Sequence, residues 1–178
     1  MILKFRQLNP GEIDVRISTV KDTGCSLLLY KDARCDMNIL DETVGSMNWQ
    51  RSHKEVKGNL HCVVSIWDTD KEMWVEKSDC GTESNTEKEK GEASDSFKRA
   101  CFNWGIGREL YTAPFIWVPK EKCNISFNEY SGKKTYKCND KFYVEAIKYD
   151  EFKNIIALSI ANKDKKIRAF VLVPPEEK

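Results

Sequence analysis

The sequence predicts an α+β fold: an antiparallel three-strand β-meander packed on helices, followed by a C-terminal β-rich extension. Three observations lead there. Residues 48–80 hold three strand-like runs separated by tight-turn signals. The segments on either side of them carry apolar residues at helical spacing. From residue 113 onward, short apolar runs of strand length return. A chain of 178 residues suits one domain with an appendage, and the expected division is a core at 1–112 and an extension at 113–178.

The elements come in this order. Asn9-Pro10-Gly11-Glu12 reads as the start of a short helix: Asn9 can cap, Pro10 suits the first helical position, and Glu12 stands three residues after the cap. Ile13 and Ile17 would then share a face beside Arg16. Gly24 breaks the chain and Ser26 to Tyr30 reads as a short buried strand. Asp32 caps a second helix, in which Ala33, Met37, Leu40 and Val44 recur at helical spacing, and Gly45 ends it.

The meander comes next. Asn48 to Val56 is its first strand, Lys57-Gly58 a tight turn, and Asn59 to Trp67 the second strand. Leu60, Cys62, Val64 and Ile66 share one face of that strand; His61, Val63, Ser65 and Trp67 share the other. Asp68-Thr69-Asp70-Lys71 turns into a third strand, Glu72 to Cys80. Short connections make these neighbours antiparallel.

Gly81 to Gly91 contains no hydrophobic residue and reads as a mobile loop, or as a polar helix start near Thr86. The helix Glu92 to Asn103 comes after it. Ala93, Phe97, Ala100, Cys101 and Trp104 form one apolar stripe, and Glu92 and Asp95 complement the dipole in the first turn. Lys98 and Phe102 lie off the stripe, Arg99 flanks it, and Gly105 and Gly107 stop the helix. The remainder reads as β-structure: Phe115 to Val118, a hairpin of Lys141 to Lys148 with Asn154 to Ala161, and Ile167 to Val173. Segment 119–140 reads as a polar loop or loose hairpin.

Composition narrows the function classes. Hydrophobic residues make up 40% and charged residues 32%, with a formal net charge of +1. That balance excludes a generic polycation, so nucleic-acid binding would have to come from a local basic patch. The seven cysteines, Cys25, Cys35, Cys62, Cys80, Cys101, Cys123 and Cys138, form no CxxC pair and have no tight Cys/His spacing, so no structural zinc site or other cofactor is expected. Cys123 and Cys138 read as incidental. The N-terminal MILKFRQLNP has no long apolar core and no run is long enough to span a membrane; a reducing, cytoplasmic setting is expected.

Chemistry is sparse. There is no GxxxxGK[ST] loop, and GIG at 105–107 is too short for a dinucleotide fingerprint. His53 and His61 lie on paired strands and read as ordinary surface or core positions. Asp68, Asp70, Glu72, Glu76, Asp79 and Glu83 would be the ligands of a metal-dependent nuclease if they gathered; as turn and solvated strand residues they would not. The adjacent Lys98 and Arg99 stand on a helix anchored by its apolar stripe, which holds cations in place for phosphate. Arg34, Arg51, Lys54 and Lys57 could join them. Trp49, Phe102 and Trp104 are the aromatic neighbours, with Phe102 the candidate for base stacking.

Tyr30 to Trp49 (YKDARCDMNILDETVGSMNW) and Glu87 to Gly107 (EKEKGEASDSFKRACFNWGIG) complete a pattern of helix, three-strand meander, loop, and a helix carrying FKRA before an aromatic-Gly stop. This pattern, over roughly residues 9–112, resembles the annealing domain of the Rad52/Rad22 family of single-strand annealing proteins, in wording closest to prophage versions. The resemblance implies a non-enzymatic, ATP-independent recombination and repair protein. It would bind single-stranded DNA in a basic groove around a closed ring of copies and anneal complementary strands, with a single-stranded DNA-binding protein as a further partner. The family's Lys-Arg pair falls on Lys98 and Arg99, and a family arginine falls at or next to Arg34. Where some members have a further arginine, this chain has Phe102, and the family's lysine before the loop has no counterpart near Gly81-Thr82. Besides a nuclease, the competing expectation is a structural oligomer with Lys98 and Arg99 in inter-subunit ion pairs.

Overall fold

The computed structural model describes residues 3–82 and 88–174. It is an α+β arrangement of mostly antiparallel strands and two α-helices. In chain order the elements are β1 (Asp14–Lys21), β2 (Gly24–Tyr30), α1 (Ala33–Val44), β3 (Trp49–Val56), β4 (Asn59–Asp68), β5 (Met73–Cys80), α2 (Lys88–Trp104), β6 (Ile116–Pro119), β7 (Ser126–Tyr130), β8 (Lys133–Lys137), β9 (Phe142–Tyr149), β10 (Ile155–Asn162) and β11 (Ile167–Leu172). Short 3-10 turns lie at Pro10–Glu12, Arg108–Thr112 and Lys120–Lys122. No described helix is long and apolar enough to cross a membrane.

Two compact units divide the chain: Met1–Gln7 with Asp32–Arg108, and Leu8–Lys31 with Glu109–Lys178. This differs from a single cut at 112/113, because residues 8–31 belong with the C-terminal strands. The reason is strand pairing: the larger sheet runs β11-β10-β9-β1-β2-β6, so the N-terminal hairpin of β1 and β2 fills its middle.

The first unit is the meander and its helices. Asp32 caps α1 by accepting from the Cys35 N–H at 2.9 Å, and Gly45 ends the helix at φ 83°, which glycine adopts freely. Helix α1 buries Cys35, Asp36, Ile39 and Leu40 and packs against α2. Strands β3 and β4 join through Lys57 (φ 54°) and Gly58 (φ 78°), a two-residue turn with both residues at positive φ. On β4, Cys62, Val64 and Ile66 are buried under α2, whose Phe97, Ala100 and Cys101 have no exposed surface. Burying such side chains contributes about 1.5–3 kcal/mol for each large one. Burial pushes the Cys62 thiol up to about 11 against the pull of the Arg51 guanidinium, so it packs there as a small neutral group.

The second unit corrects one expectation and decides between the alternatives of another. Residues 13–21 form no helix. Asn9 N–H donates to Glu12 Oε2 at 2.8 Å, as in a helix start, but only one 3-10 turn results. Beyond it Ile13, Val15 and Ile17 face inward while Asp14, Arg16 and Ser18 are exposed, the alternation of a strand. Segment 119–140 contains the β7–β8 hairpin, a sheet of its own. Elsewhere Glu109 is buried and accepts the Leu8 N–H at 2.7 Å, and the Tyr149 hydroxyl donates to the Leu8 carbonyl at 2.9 Å. The expected loop at 81–91 lies partly outside the described residues, as do Glu83, the helix start near Thr86 and the charged tail from Pro175. From Lys88 the chain is helical, four residues before the expected start at Glu92.

Gly81 sets how closely the strand end and α2 approach. An added Cβ there would lie 2.2 Å from the Glu92 carbonyl oxygen and 2.7 Å from the Ser96 nitrogen, both backbone atoms. Gly81→Ala is expected to lower unfolding free energy by about 1–3 kcal/mol. Gly11→Ala, which meets nothing within 4 Å, is expected to stay within about 0.5 kcal/mol. Urea melts of the two variants check the contrast.

Candidate nucleic-acid interface

The candidate interface is built on α2 and the strand faces beneath it. Directly paired residues of an antiparallel sheet point the same way. The pairs Trp49–Ile66, Arg51–Val64 and His53–Cys62, continued by Val75, Lys77 and Asp79 of β5, therefore share the sheet face on which α2 lies, over β4 and β5. Side-chain contacts agree. Trp49 stacks near Phe97 with ring centroids 6.2 Å apart. The Arg51 guanidinium lies 4.8 Å over the Phe97 ring, and Lys77 Nζ lies 4.7 Å over the Trp104 ring. The Trp104 indole N–H donates to the Val64 carbonyl at 3.0 Å. Glu92 Oε1 accepts the Leu60 N–H at 2.9 Å, which fixes the other end of the helix.

That docking decides where the cations stand. At 3.6 residues per turn, Lys98 and Arg99 project about 100° apart, with Phe102 between them in projection, and Arg99 reaches back toward β5. The Lys98 side chain is 24% exposed, with Nζ 4.0 Å from Asp95 Oδ1; that of Arg99 is 41% exposed, with Nε 3.4 Å from Asp79 Oδ1. Phe102 is half-buried. Both cations therefore have carboxylate neighbours, at contacts of the kind worth about 0.2–1 kcal/mol when partly exposed.

The other expected residues divide. Arg34, 83% exposed, pairs with Asp32 at 2.9 Å in the first turn of α1. Arg51 is exposed on β3, on the sheet face that carries α2, with its guanidinium against the Phe97 ring. Lys54 pairs with His61 in register and so sits on the opposite face of the sheet, 4.0 Å from Glu76. The structure thus brings Lys98, Arg99 and Phe102 together on one helix and separates Lys54 from them. His53 faces α2, with Nε2 3.4 Å from the Ala93 carbonyl oxygen, and His61 faces the other way.

Among the described residues these carboxylates form no group placed to hold a metal ion. Asp68 accepts the Asp70 and Lys71 N–H groups at 2.9 and 3.3 Å and shapes the turn. Glu76 is on the outer face and Asp79 on the helix face. Asp68 and the partner of Asp79, Cys62, are six residues apart on β4, about 20 Å. Glu83 lies outside the described residues.

Two cations not singled out from sequence are engaged here. Arg108 donates to the Phe102 carbonyl at 2.7 and 3.0 Å and to the Asn103 carbonyl at 3.2 Å; Lys77 Nζ donates to the Asn103 carbonyl at 2.8 Å. They satisfy the open carbonyls at the α2 C-terminus and complement its dipole. A basic residue directly after a Gly-x-Gly stop was the available signal for Arg108; Lys77 carried none.

Two carboxylates tie stability to pH. Burial would raise Asp32, but the Cys35 N–H and the Arg34 guanidinium outweigh it and hold its carboxyl below the ordinary 3.8. Burial of Asp140 is likewise outweighed by hydrogen bonds from Asn162 and Asn124. A carboxyl lowered by folding adds stability above its unfolded value and loses it as pH falls through the folded one. Urea melts from about pH 7 to about pH 3 are expected to show stability flat above about pH 5 and falling below about pH 4. Asp32→Asn, which keeps a capping oxygen without the charge, is expected to flatten part of that acid limb. Compared with protein-family models, curated proteins and solved structures, the chain matches none.

Proposed function

We propose that this chain binds single-stranded DNA and anneals complementary strands without ATP, as the Rad52-type proteins it resembles do, working as a ring of copies. The observation that carries the reading is the adjacent pair Lys98 and Arg99 on a helix pinned to the meander at Phe97, Ala100 and Trp104. A phosphate backbone is bound best by cations whose stem is fixed, because less side-chain freedom is then lost. Phe102, projecting between them, offers a face on which a base stacks.

Asp79 and Asp95 fit this role as exchangeable counter-ions. The contacts, at 4.0 and 3.4 Å, are long enough for a phosphate to compete for each cation while the carboxylates keep their own hydrogen bonds to Thr82 and Cys80. Bound strands then have a return path, which annealing requires: the product duplex has to leave. No bond is made or broken, so the reading calls for no catalytic residue. A protein that coats single strands is the expected partner.

The test is binding of a labelled oligo(dT) across a salt series, with an annealing assay on complementary oligonucleotides without ATP. Lys98→Ala combined with Arg99→Ala is expected to weaken binding at least tenfold and to reduce the log–log salt slope by about 1.4, two phosphates at about 0.7 each. Asp95→Asn is expected to tighten binding two- to fivefold, and Lys54→Ala to change it less than twofold. Salt-insensitive binding, or a double variant that binds like the parent, refutes the reading. Cleavage of single strands with Mg²⁺ or Mn²⁺ would favour a nuclease instead, and a large assembly that ignores DNA a structural oligomer.

A further inference from the structure

The second unit gathers three cysteines that are far apart in sequence. The Sγ atoms of Cys25, Cys123 and Cys138 all lie within 4.8 Å of one another. Cys25 and Cys123 are buried and Cys138 is half-buried. Cys25 comes from β2, where it pairs with Val118 of β6. Cys123 closes the 3-10 turn after β6, and Cys138 comes directly after β8. Three thiolates at the corners of a tetrahedron with metal–sulfur bonds of about 2.3 Å stand about 3.8 Å apart, so only a small adjustment separates this cluster from a coordination site.

We propose that Cys25, Cys123 and Cys138 bind a thiophilic metal ion, Zn²⁺ first among them, as a structural clamp on the β7–β8 hairpin. Thiolate ligands select such metals over Mg²⁺ or Ca²⁺. A disulfide would use two of the three sulfurs and leave the third crowded against it; a metal uses all three. Each thiol gives up its proton to solvent as it binds, three in all, and water fills the fourth position. Cys123 lines an open cleft with Asp22, Lys120, Asn124 and Tyr136, which supplies the entry path.

The surroundings suit a metal site. Asp140, two residues past Cys138, accepts from Asn124 N at 2.8 Å, Asn124 Nδ2 at 2.9 Å and Asn162 Nδ2 at 2.7 Å. Asn124 is the residue after Cys123, so the same polar network ties both cysteine-bearing stems and orients them. Asn162 is fully buried and also donates to the Lys122 carbonyl. The hairpin needs such a clamp: β7 is exposed along its whole length, and a lone two-stranded hairpin is marginal in water. Cysteine ligands bind as thiolates, so metal and protons compete and the metal is expected to leave on acidification.

The test uses the full chain purified under reducing conditions from zinc-supplemented culture. Elemental analysis is expected to find about one zinc per chain, lost in Cys138→Ser and Cys123→Ser and kept in Cys80→Ser. Because a serine variant could fail through misfolding, the metal-stripped parent is also titrated with Co²⁺. An intense near-ultraviolet thiolate-to-cobalt charge-transfer band that saturates at one equivalent and disappears on adding Zn²⁺ supports the site. Absence of both bound zinc and the cobalt band in the parent overturns it. So does a band that persists in a folded Cys138→Ser variant, or a disulfide among these cysteines in protein handled without oxygen.

Discussion

The first unit depends on one fit: the apolar stripe of α2 lying along one face of β4. Phe97, Ala100 and Cys101 against Cys62, Val64 and Ile66 are all at 0–1% exposure. A helix of period 3.6 and a strand of period 2 meet over these few residues, and where they meet dictates the remaining contacts. Gly81 has no room for a side chain because α2 passes directly over it. Glu92 reaches the Leu60 amide, Trp104 reaches the Val64 carbonyl, and Asn103 donates to the Ser78 carbonyl at 3.0 Å. These polar bonds add direction to a contact whose energy comes from apolar burial.

Where local chemistry decides structure, the sequence could be read. Asp32 and Gly45 bound α1, Lys57-Gly58 turns the first hairpin, and the α2 stripe stands out because its apolar residues keep one helical phase over three turns. The misreading at residues 9–17 has a physical cause. Asn9, Pro10 and Glu12 do make the start of a helical turn, but Ile13, Val15 and Ile17 alternate and are β-branched, so strand pairing with β2 wins from Asp14 onward. A capping pattern reports only on one turn; beyond that turn the conformation is decided by which face is buried.

The candidate site was legible as a list of residues and not as an arrangement. Lys98 and Arg99 could be read as cations on an anchored helix, because helix phase is a local property. The separation of Arg51 from Lys54 is a matter of strand parity, three residues apart and hence on opposite faces. The counter-ions were invisible in sequence: Asp79 meets Arg99 only because β5 runs beside β4 beneath α2. The cysteine cluster is the extreme case. Its members stand at 25, 123 and 138, with no local spacing to betray them, and they meet only because β2 pairs with β6 and the β7–β8 hairpin returns the chain to that edge.

Charge in the first unit shows a division of labour. Arg51, Lys77 and Arg108 are committed to the fold: two lie over aromatic rings and two cap the open carbonyls at the end of α2. Substituting any of these would disturb packing or capping and would say little about a ligand. Lys98 and Arg99 are engaged by side-chain carboxylates, at 4.0 and 3.4 Å. The carboxylates stay in place, Asp79 held by the Cys80 N–H at 2.8 Å and Asp95 by the Thr82 N–H at 3.1 Å and hydroxyl at 3.2 Å, so it is the cation that would turn from carboxylate to phosphate. On the proposed reading this difference, more than the number of basic residues or the net charge of +1, is what would let the Lys98–Arg99 arc of α2 exchange a phosphate backbone rather than trap it.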